Sequence, residues 1–190
     1  MVVGDTLYLV DTAWTDEQTG VVLKWTEDNL SRPITSAVVT HAHKDKMGGV
    51  AALHEANVST YAHPLTNRDA GKRDLEPARN DLVFDADRAT LADGAIEIFY
   101  PGAGHTIANV VVYVRDARVL FGGCLIRPGE SRTMGNTDDA DIAHWDEAVV
   151  AVEAGYPDAR IIVPSHGPPG GRELLRHTID LARAQEARRD

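Results

Sequence analysis

The pattern of apolar and polar positions predicts that strands and helices alternate in the first third of the chain. Thr15 and Gln18 have the spacing of a capping box that opens a helix. Strands are predicted at 6–10, 34–40 and 59–62, and helices at 15–29, 50–56 and from 64 onward. This alternation is typical of an α/β fold.

The rest of the chain is richer in predicted strands. Residues 71–89 are charged and weakly patterned, which indicates a surface loop with a short strand around 82–84. Further strands are predicted at 96–100, 109–114, 118–121 and 161–164, and helices at 141–155 and 173–188. We therefore expect a sheet-rich core with helices outside it, in one domain spanning residues 1–190.

The composition and charge of the chain argue against several classes of function. The chain has 190 residues, of which 43% are hydrophobic and 25% charged, as in ordinary globular domains. The net charge is -10, and no block of Lys and Arg occurs before the last few residues, so a nucleic-acid partner is not expected. No apolar stretch approaches the ~20 residues that a membrane span requires. The first residues lack the basic and apolar regions of a signal peptide.

Candidate metal ligands follow the predicted strand at 34–40. His41, His43 and Asp45 lie on the loop that leaves this strand. In an extended or tightly turned segment, side chains two positions apart can point to one centre, whereas a helix would use a spacing of three or four. These residues form either a ligand set or an ordinary polar loop.

Three further candidate ligands also follow predicted strands: His105, Cys124 and His166. Glycines beside them allow close approach of the backbone. Three imidazoles with one open position form a catalytic zinc site, and His41, His43 and His105 fit this description. The remaining ligands suit a second zinc ion, with cysteine bound as thiolate: Asp45, Cys124 and His166.

Several motifs resemble those of one enzyme family. They are Thr-His-Ala-His-x-Asp-Lys-Met-Gly-Gly at 40–49, Tyr-Pro-Gly-x-Gly-His-Thr at 100–106 and Gly-Gly-Cys-Leu-Ile at 122–126. The chain resembles the class B metallo-β-lactamases with an Asp/Cys/His second site. The likeness is closest to the New Delhi type, and after residue 108 to the Verona type. It implies an αββα sandwich that here lacks the first strands of its N-terminal sheet.

The resemblance also implies an activity and roles for single residues. The family uses two Zn²⁺ ions and a hydroxide shared between them to open the β-lactam ring of penicillins, cephalosporins and carbapenems, and Asp45 would orient this hydroxide. Arg127 falls where the family binds the substrate carboxylate, although it could be a solvated loop arginine. Asn136 resembles the asparagine that binds the lactam carbonyl, although it could be a plain turn residue.

Two alternatives remain open at this point. The chain could be a zinc-binding fragment with poor catalysis, or a thioester or lactone hydrolase of the same superfamily. Lys46 and Cys124 favour the lactamase branch, because the other branch resembles this one in fold but has a histidine and an aspartate at these positions. By resemblance the protein would be periplasmic or secreted. A shortened sheet would expose an edge through which the chain could self-associate.

Overall fold

Each half of the chain forms its own mixed five-stranded sheet. The computed structural model describes residues 1–188, which divide into two compact units at Val83 and Phe84. Both units contain parallel and antiparallel strand pairs together with helices, so the predicted α/β class is confirmed.

The first unit holds a sheet in which the strands are ordered as they occur in the chain. They are β1 (Val2–Val3), β2 (Thr6–Val10), β3 (Ile34–Val39), β4 (Ser59–Ala62) and β5 (Asn80–Asp81). β1 pairs antiparallel with β2, and the other pairs are parallel. The helices are α1 (Asp16–Leu30), α2 (Lys44–Met47), α3 (Val50–Glu55) and α4 (Pro64–Ala70). Because parallel strands end at the same edge, the loops after β2 and β3 lie side by side.

Helix α1 begins and ends as its capping residues dictate. Thr15 is extended, and its hydroxyl accepts a hydrogen bond from the backbone N–H of Gln18 at 3.2 Å. Ser31 ends the helix in the left-handed region with φ of 50°. Under this helix, β2 and β3 bury Leu7, Ile34 and Ala37 against Leu53 and Val58.

The second unit holds a sheet with the strand order β10-β9-β8-β7-β6. The strands are β6 (Arg88–Leu91), β7 (Ile96–Phe99), β8 (Val111–Val114), β9 (Val119–Gly123) and β10 (Ile161–Pro164). Only β9 and β10 are parallel within the described part of this sheet. Two helices, α5 (Ile142–Gly155) and α6 (Glu173–Glu186), pack against each other.

The core of the second unit is centred on α5. Trp145 is fully buried, and its indole N–H donates to the carbonyl oxygen of Leu125 at 2.8 Å. A charged group is also enclosed here: Glu97 accepts hydrogen bonds from Tyr156 at 2.7 Å, from Arg115 at 2.8 Å and from Arg88. A buried carboxylate is tolerated because several donors satisfy it.

Most predicted elements are present within a residue or two of their expected bounds. The differences include the predicted strand at 82–84 and four short elements that the sequence did not predict: β1, β5, β6 and the helix α2. The strand predicted at 82–84 is wrong, since the chain pairs instead at β5 and at an isolated bridge between Asp85 and Arg88, while Val83 is 88% exposed. β1 and β6 were not predicted, because two to four residues carry too little periodicity to recognise. Among residues 1–188, no helix has the length and apolar character needed to cross a membrane.

Candidate metal centre

His41 and His43 occupy the loop that leaves β3. His41 is completely buried, His43 is half-buried, and their rings meet edge to face with centroids 4.7 Å apart. The Nδ1 atom of His41 lies 3.1 Å from the hydroxyl oxygen of Thr40. This contact fixes the ring so that Nε2 is the atom directed away from Thr40, as metal-binding histidines commonly require.

Asp11, which directly follows β2, in turn fixes Thr40 by hydrogen bonds. Its two carboxylate oxygens accept hydrogen bonds from the N–H of Thr40 at 2.7 Å and from its hydroxyl at 3.0 Å. Burial raises the pKa of Asp11 to about 6, although Lys46 and the hydrogen bonds from Thr40 oppose this shift. Sequence reasoning missed this residue. Its signal was its position directly after a strand, the setting that also marked the candidate ligands.

Hydrogen bonds connect the turn at 44–49 to the segment that follows β2. The backbone N–H and the hydroxyl of Thr12 both donate to the carbonyl of Lys46, and the N–H of Gly49 donates to the Thr12 hydroxyl. Gly48 packs so closely that a Cβ atom there would lie 2.1 Å from the carbonyl oxygen of Trp14. Side chains at positions 48 and 49 would therefore collide with neighbouring atoms. The close packing of the two glycines fixes the position of the short helix α2, which carries Asp45.

Lys46 sits beside the candidate ligand Asp45. The Lys46 side chain is buried, and its ammonium lies 2.9 Å from a carboxylate oxygen of Asp45. An ion pair at this depth holds the carboxylate in one orientation and offsets its negative charge.

His105 lies in the loop between β7 and β8, which is cross-linked by Asn109. The amide oxygen of Asn109 accepts from the N–H of Thr106 at 2.9 Å, and its amide nitrogen donates to the carbonyl of Gly102 at 3.0 Å. His105 is 6% exposed, and its ring contacts Trp145 edge to face at 5.4 Å. The imidazole is thus held by its own loop and by the core beneath it.

Cys124 and His166 follow the parallel strands β9 and β10, so both leave the same edge of the second sheet. Gly123 pairs with Pro164, and the N–H of Ser165 donates to the carbonyl of Gly123 at 3.1 Å. Cys124 is buried and His166 is exposed. The parallel pairing explains how residues 42 positions apart become neighbours.

The six candidate ligands form two groups of three. The ligand atoms of His41, His43 and His105 all lie within 4.8 Å of one another, and the same holds for Asp45, Cys124 and His166. Atoms this near to one another need to shift only a little to bind one ion, with bonds of about 2.0–2.3 Å to nitrogen, oxygen or sulfur. The donor types, imidazole with one carboxylate and one thiolate, fit zinc.

Arg127, three residues after Cys124, is half-buried. Among the described residues it has no acidic ion-pair partner, and its Nε atom is buried without a hydrogen bond. Burial lowers the pKa of its guanidinium, while Cys124 opposes this shift. The side chain is therefore partly withdrawn from solvent.

Asn136 is exposed and uses half of its amide group in a turn. Its side-chain oxygen accepts a hydrogen bond from the N–H of Asp138 at 2.9 Å. The turn leaves the amide nitrogen as a donor. Of the other histidines, His63 caps α4 by accepting from the N–H of Leu65, and His144 pairs with Asp141 at 2.9 Å.

Comparison with known proteins places this arrangement in a family. The family model described as "Metallo-beta-lactamase superfamily" matches residues 1–166 of the chain. The chain is 35% identical over 175 residues to the "Metallo-beta-lactamase type 2" of Bacillus cereus, which covers 92% of this chain and 68% of that protein. It is 34% identical over 173 residues to the protein of the same name from Bacteroides fragilis, covering 91% and 69%.

Solved structures of metallo-β-lactamases are also similar to this chain. FIM-1 from Pseudomonas aeruginosa in its mono-zinc form is 49% identical, with a TM-score of 0.94 over 97% of this chain and 82% of that one. The metallo-β-lactamase of Erythrobacter litoralis, with β-mercaptoethanol in its active site, is 46% identical, with a TM-score of 0.92 over 97% and 83%. The metallo-β-lactamase fold expected from the sequence is confirmed, and the chain belongs to the metallo-β-lactamase superfamily of enzymes.

Proposed function

We propose that this protein is a zinc-dependent hydrolase that opens the β-lactam ring of penicillins, cephalosporins and carbapenems. The observation that carries the proposal is the pair of three-ligand groups, each with its ligand atoms within 4.8 Å of one another. A His/His/His set and an Asp/Cys/His set together supply six donors, which is enough for two zinc ions with positions left open for water or substrate.

The ligands would divide between the two ions by charge. Three neutral imidazoles, His41, His43 and His105, would hold one zinc, and Asp45, Cys124 and His166 the other. When bound, zinc would supply a water of lowered pKa and stabilise negative charge that develops on the substrate. Two Zn²⁺ ions exceed the charges of one carboxylate and one thiolate, so the ligand set would attract an anion although the chain carries -10.

Asp45 has two tasks in this proposal. One carboxylate oxygen is engaged by Lys46 at 2.9 Å, and this contact fixes the rotation of the group. The carboxylate can therefore serve both as a ligand and as the acceptor that orients the attacking water. Such orientation supplies the near-attack geometry that raises the rate of hydrolysis.

Arg127 would bind the substrate carboxylate. A half-buried guanidinium with no acidic partner among the described residues has paid part of its desolvation cost before a ligand arrives. Two parallel N–H donors match the two oxygens of a carboxylate. The amide nitrogen of Asn136 would donate to the lactam carbonyl, where negative charge develops.

Three finer assignments belong to this proposal. The site would resemble the New Delhi and Verona types in its details, the protein would act in the periplasm or be secreted, and copies of the chain would associate through a sheet edge. Solution molecular mass measured by light scattering over a range of concentrations would test the last point.

The activity is tested by measuring hydrolysis of a penicillin, a carbapenem and a thioester by the zinc-loaded chain. The same assays are made on Cys124→Ser and Asp45→Ala, with Asp116→Ala in the exposed turn before β9 as the control. We expect lactam turnover that falls by about 10²-fold or more in the two ligand variants and is unchanged in the control.

The alternatives give different results. A folded protein that binds two zinc ions but cleaves no substrate would be the catalytically poor form. Cleavage of the thioester alone would assign the chain to the other branch of the superfamily. Either result contradicts the proposed function.

A further inference from the structure

The guanidinium of Arg127 is held in place by its own loop. Gly135 has φ of +73°, and a Cβ atom there would lie 3.1–3.2 Å from three guanidinium atoms, Nη1, Nη2 and Cζ. Near-equal distances to these three atoms mean that the flat face of the guanidinium rests against the backbone of Gly135. A side chain at position 135 would push the guanidinium away, in addition to straining the backbone.

The edge of the guanidinium is fixed by Ser131. Nη2 of Arg127 donates to the hydroxyl oxygen of Ser131 at 3.3 Å, and among the described residues Nη1 makes no hydrogen bond. One edge nitrogen is thus used for positioning, while Nη1 and the second proton of Nη2 are left for an anion. The direction in which Arg127 presents these donors depends on where Ser131 stands.

Helix α6 sets the position of Ser131. Nε2 of His177 lies 3.0 Å from the backbone carbonyl oxygen of Ser131. A carbonyl oxygen only accepts, so Nε2 carries the proton and donates. On the other side, the N–H of Ser131 donates to the carbonyl of Pro128 at 3.0 Å, which fixes the residue from both ends.

The neighbouring residue of α6 anchors the backbone of Arg127. Thr178 is completely buried, accepts a hydrogen bond from the N–H of Arg127 at 2.9 Å and donates its own proton to the carbonyl of Leu174 at 2.7 Å. Consecutive residues of one helix therefore hold both ends of the 127–131 segment. A helix is rigid on the scale of this loop, so it defines the geometry of the segment.

We infer that His177 is a positioning residue for substrate recognition, acting through Ser131 to aim the guanidinium of Arg127 at the substrate carboxylate; this deepens, and rests on, the proposed β-lactam hydrolysis. His177 does not contact the substrate or the metal in this scheme. Its role is specific to substrates with a carboxylate. Loss of His177 would leave the ring-opening groups in place and weaken the recognition of that one group.

The test compares benzylpenicillin with its methyl ester, which lacks the negative charge. The ratio of kcat/KM for acid over ester is measured for wild type and for Arg127→Ala, His177→Ala, His177→Gln and Ser131→Ala. His144→Gln on α5, where the histidine is exposed and pairs with Asp141, is the matched control. Zinc content and Tm are recorded for every variant.

We expect Arg127→Ala to abolish the preference for the acid. His177→Ala and Ser131→Ala should each reduce it by about three- to tenfold through KM for the acid, the loss expected for one hydrogen bond. Kinetics with the ester should not change, and His177→Gln, whose amide can still donate, should recover part of the preference. In the Arg127→Ala background, His177→Ala should have no further effect on the ratio.

Two results would overturn the inference. One is that His177→Ala keeps the acid-to-ester ratio of wild type, although Arg127→Ala loses the preference for the acid. The other is an equal loss for acid and ester, or a loss that follows zinc content or Tm, which would make His177 merely structural. If wild type turns over neither compound, the proposed function fails separately. The Kd values for the acid and for the ester are then measured by calorimetry in the same variants. If these Kd values do not differ between acid and ester, the inference is overturned as well.

Discussion

The carboxylate of Asp11 receives two hydrogen bonds from Thr40, one from the backbone N–H at 2.7 Å and one from the hydroxyl at 3.0 Å. Because the hydroxyl proton is given to Asp11, the hydroxyl oxygen can only accept from Nδ1 of His41, which lies 3.1 Å away. Nδ1 therefore carries the imidazole proton, and the lone pair is on Nε2. A chain of two hydrogen bonds thus sets the tautomer in which His41 can bind a metal.

Replacing Thr40 by valine should weaken zinc binding. Valine has nearly the shape of threonine but cannot relay the hydrogen bond, so His41 loses the partner that fixes its tautomer. We expect zinc affinity to fall by about 10- to 100-fold. Competition with a chromophoric chelator measures this change.

The control for that experiment is Thr90→Val, because Thr90 is an exposed residue on β6. Zinc affinity should be unchanged in this variant. Equal affinities in Thr40→Val and wild type would show that the hydroxyl does not set the tautomer.

Asp11 should make the zinc-free protein less stable as the pH rises. Its pKa is raised from 3.8 to about 6 in the folded chain, mainly by burial, so the folded state binds its proton more tightly than the unfolded state does. The stabilisation from this proton is complete below pH 3.8 and is lost as the pH rises through about 6. At about 1.36 kcal/mol per pKa unit, up to about 3 kcal/mol is involved.

Urea unfolding at pH 4 and pH 7 of the wild type and Asp11→Asn tests this dependence. Asparagine keeps the shape of the side chain and does not titrate. Relative to Asp11→Asn, the wild type should lose free energy of unfolding between the two pH values. A difference between the proteins that stays the same at both pH values would contradict the assigned pKa.

The sequence was sufficient to predict the α/β class and the candidate ligands, because both depend on local signals. Strand ends followed by His, Asp or Cys beside glycine are visible in the chain itself. The sequence could not indicate that His177 reaches Ser131, 46 positions away, or that Glu97 accepts from Tyr156. Such contacts depend on the packing of helices against loops, for which a single sequence carries no periodic signal.

Exposure was also hard to predict. Trp14 and Trp25 are 52% and 55% exposed, although large aromatic side chains are usually mostly buried, while Trp145 is completely buried. Trp25 lies on α1, whose apolar positions do not form one strong stripe, so the sequence does not indicate which side of the helix faces the core. Burial of Trp145 follows from its contacts with Leu125 and His105, which are distant in the chain.

Gly48→Ala should damage the turn that carries Asp45. Gly48 has φ of -63°, which alanine adopts easily, so only space is at issue. The added Cβ would lie 2.1 Å from the carbonyl oxygen of Trp14 and 2.5 Å from that of Lys44, and neither backbone atom can rotate away. We expect the free energy of unfolding to fall by about 1–3 kcal/mol and zinc affinity to fall with it. Gly20→Ala in α1 is the matched control, since nothing lies within 4 Å of its Cβ, and it should stabilise the chain by about 0.5–1 kcal/mol. Both variants are measured by urea unfolding and by chelator competition. If Gly48→Ala behaved like Gly20→Ala in both measurements, close packing at position 48 would not determine the stability of the turn or the zinc affinity.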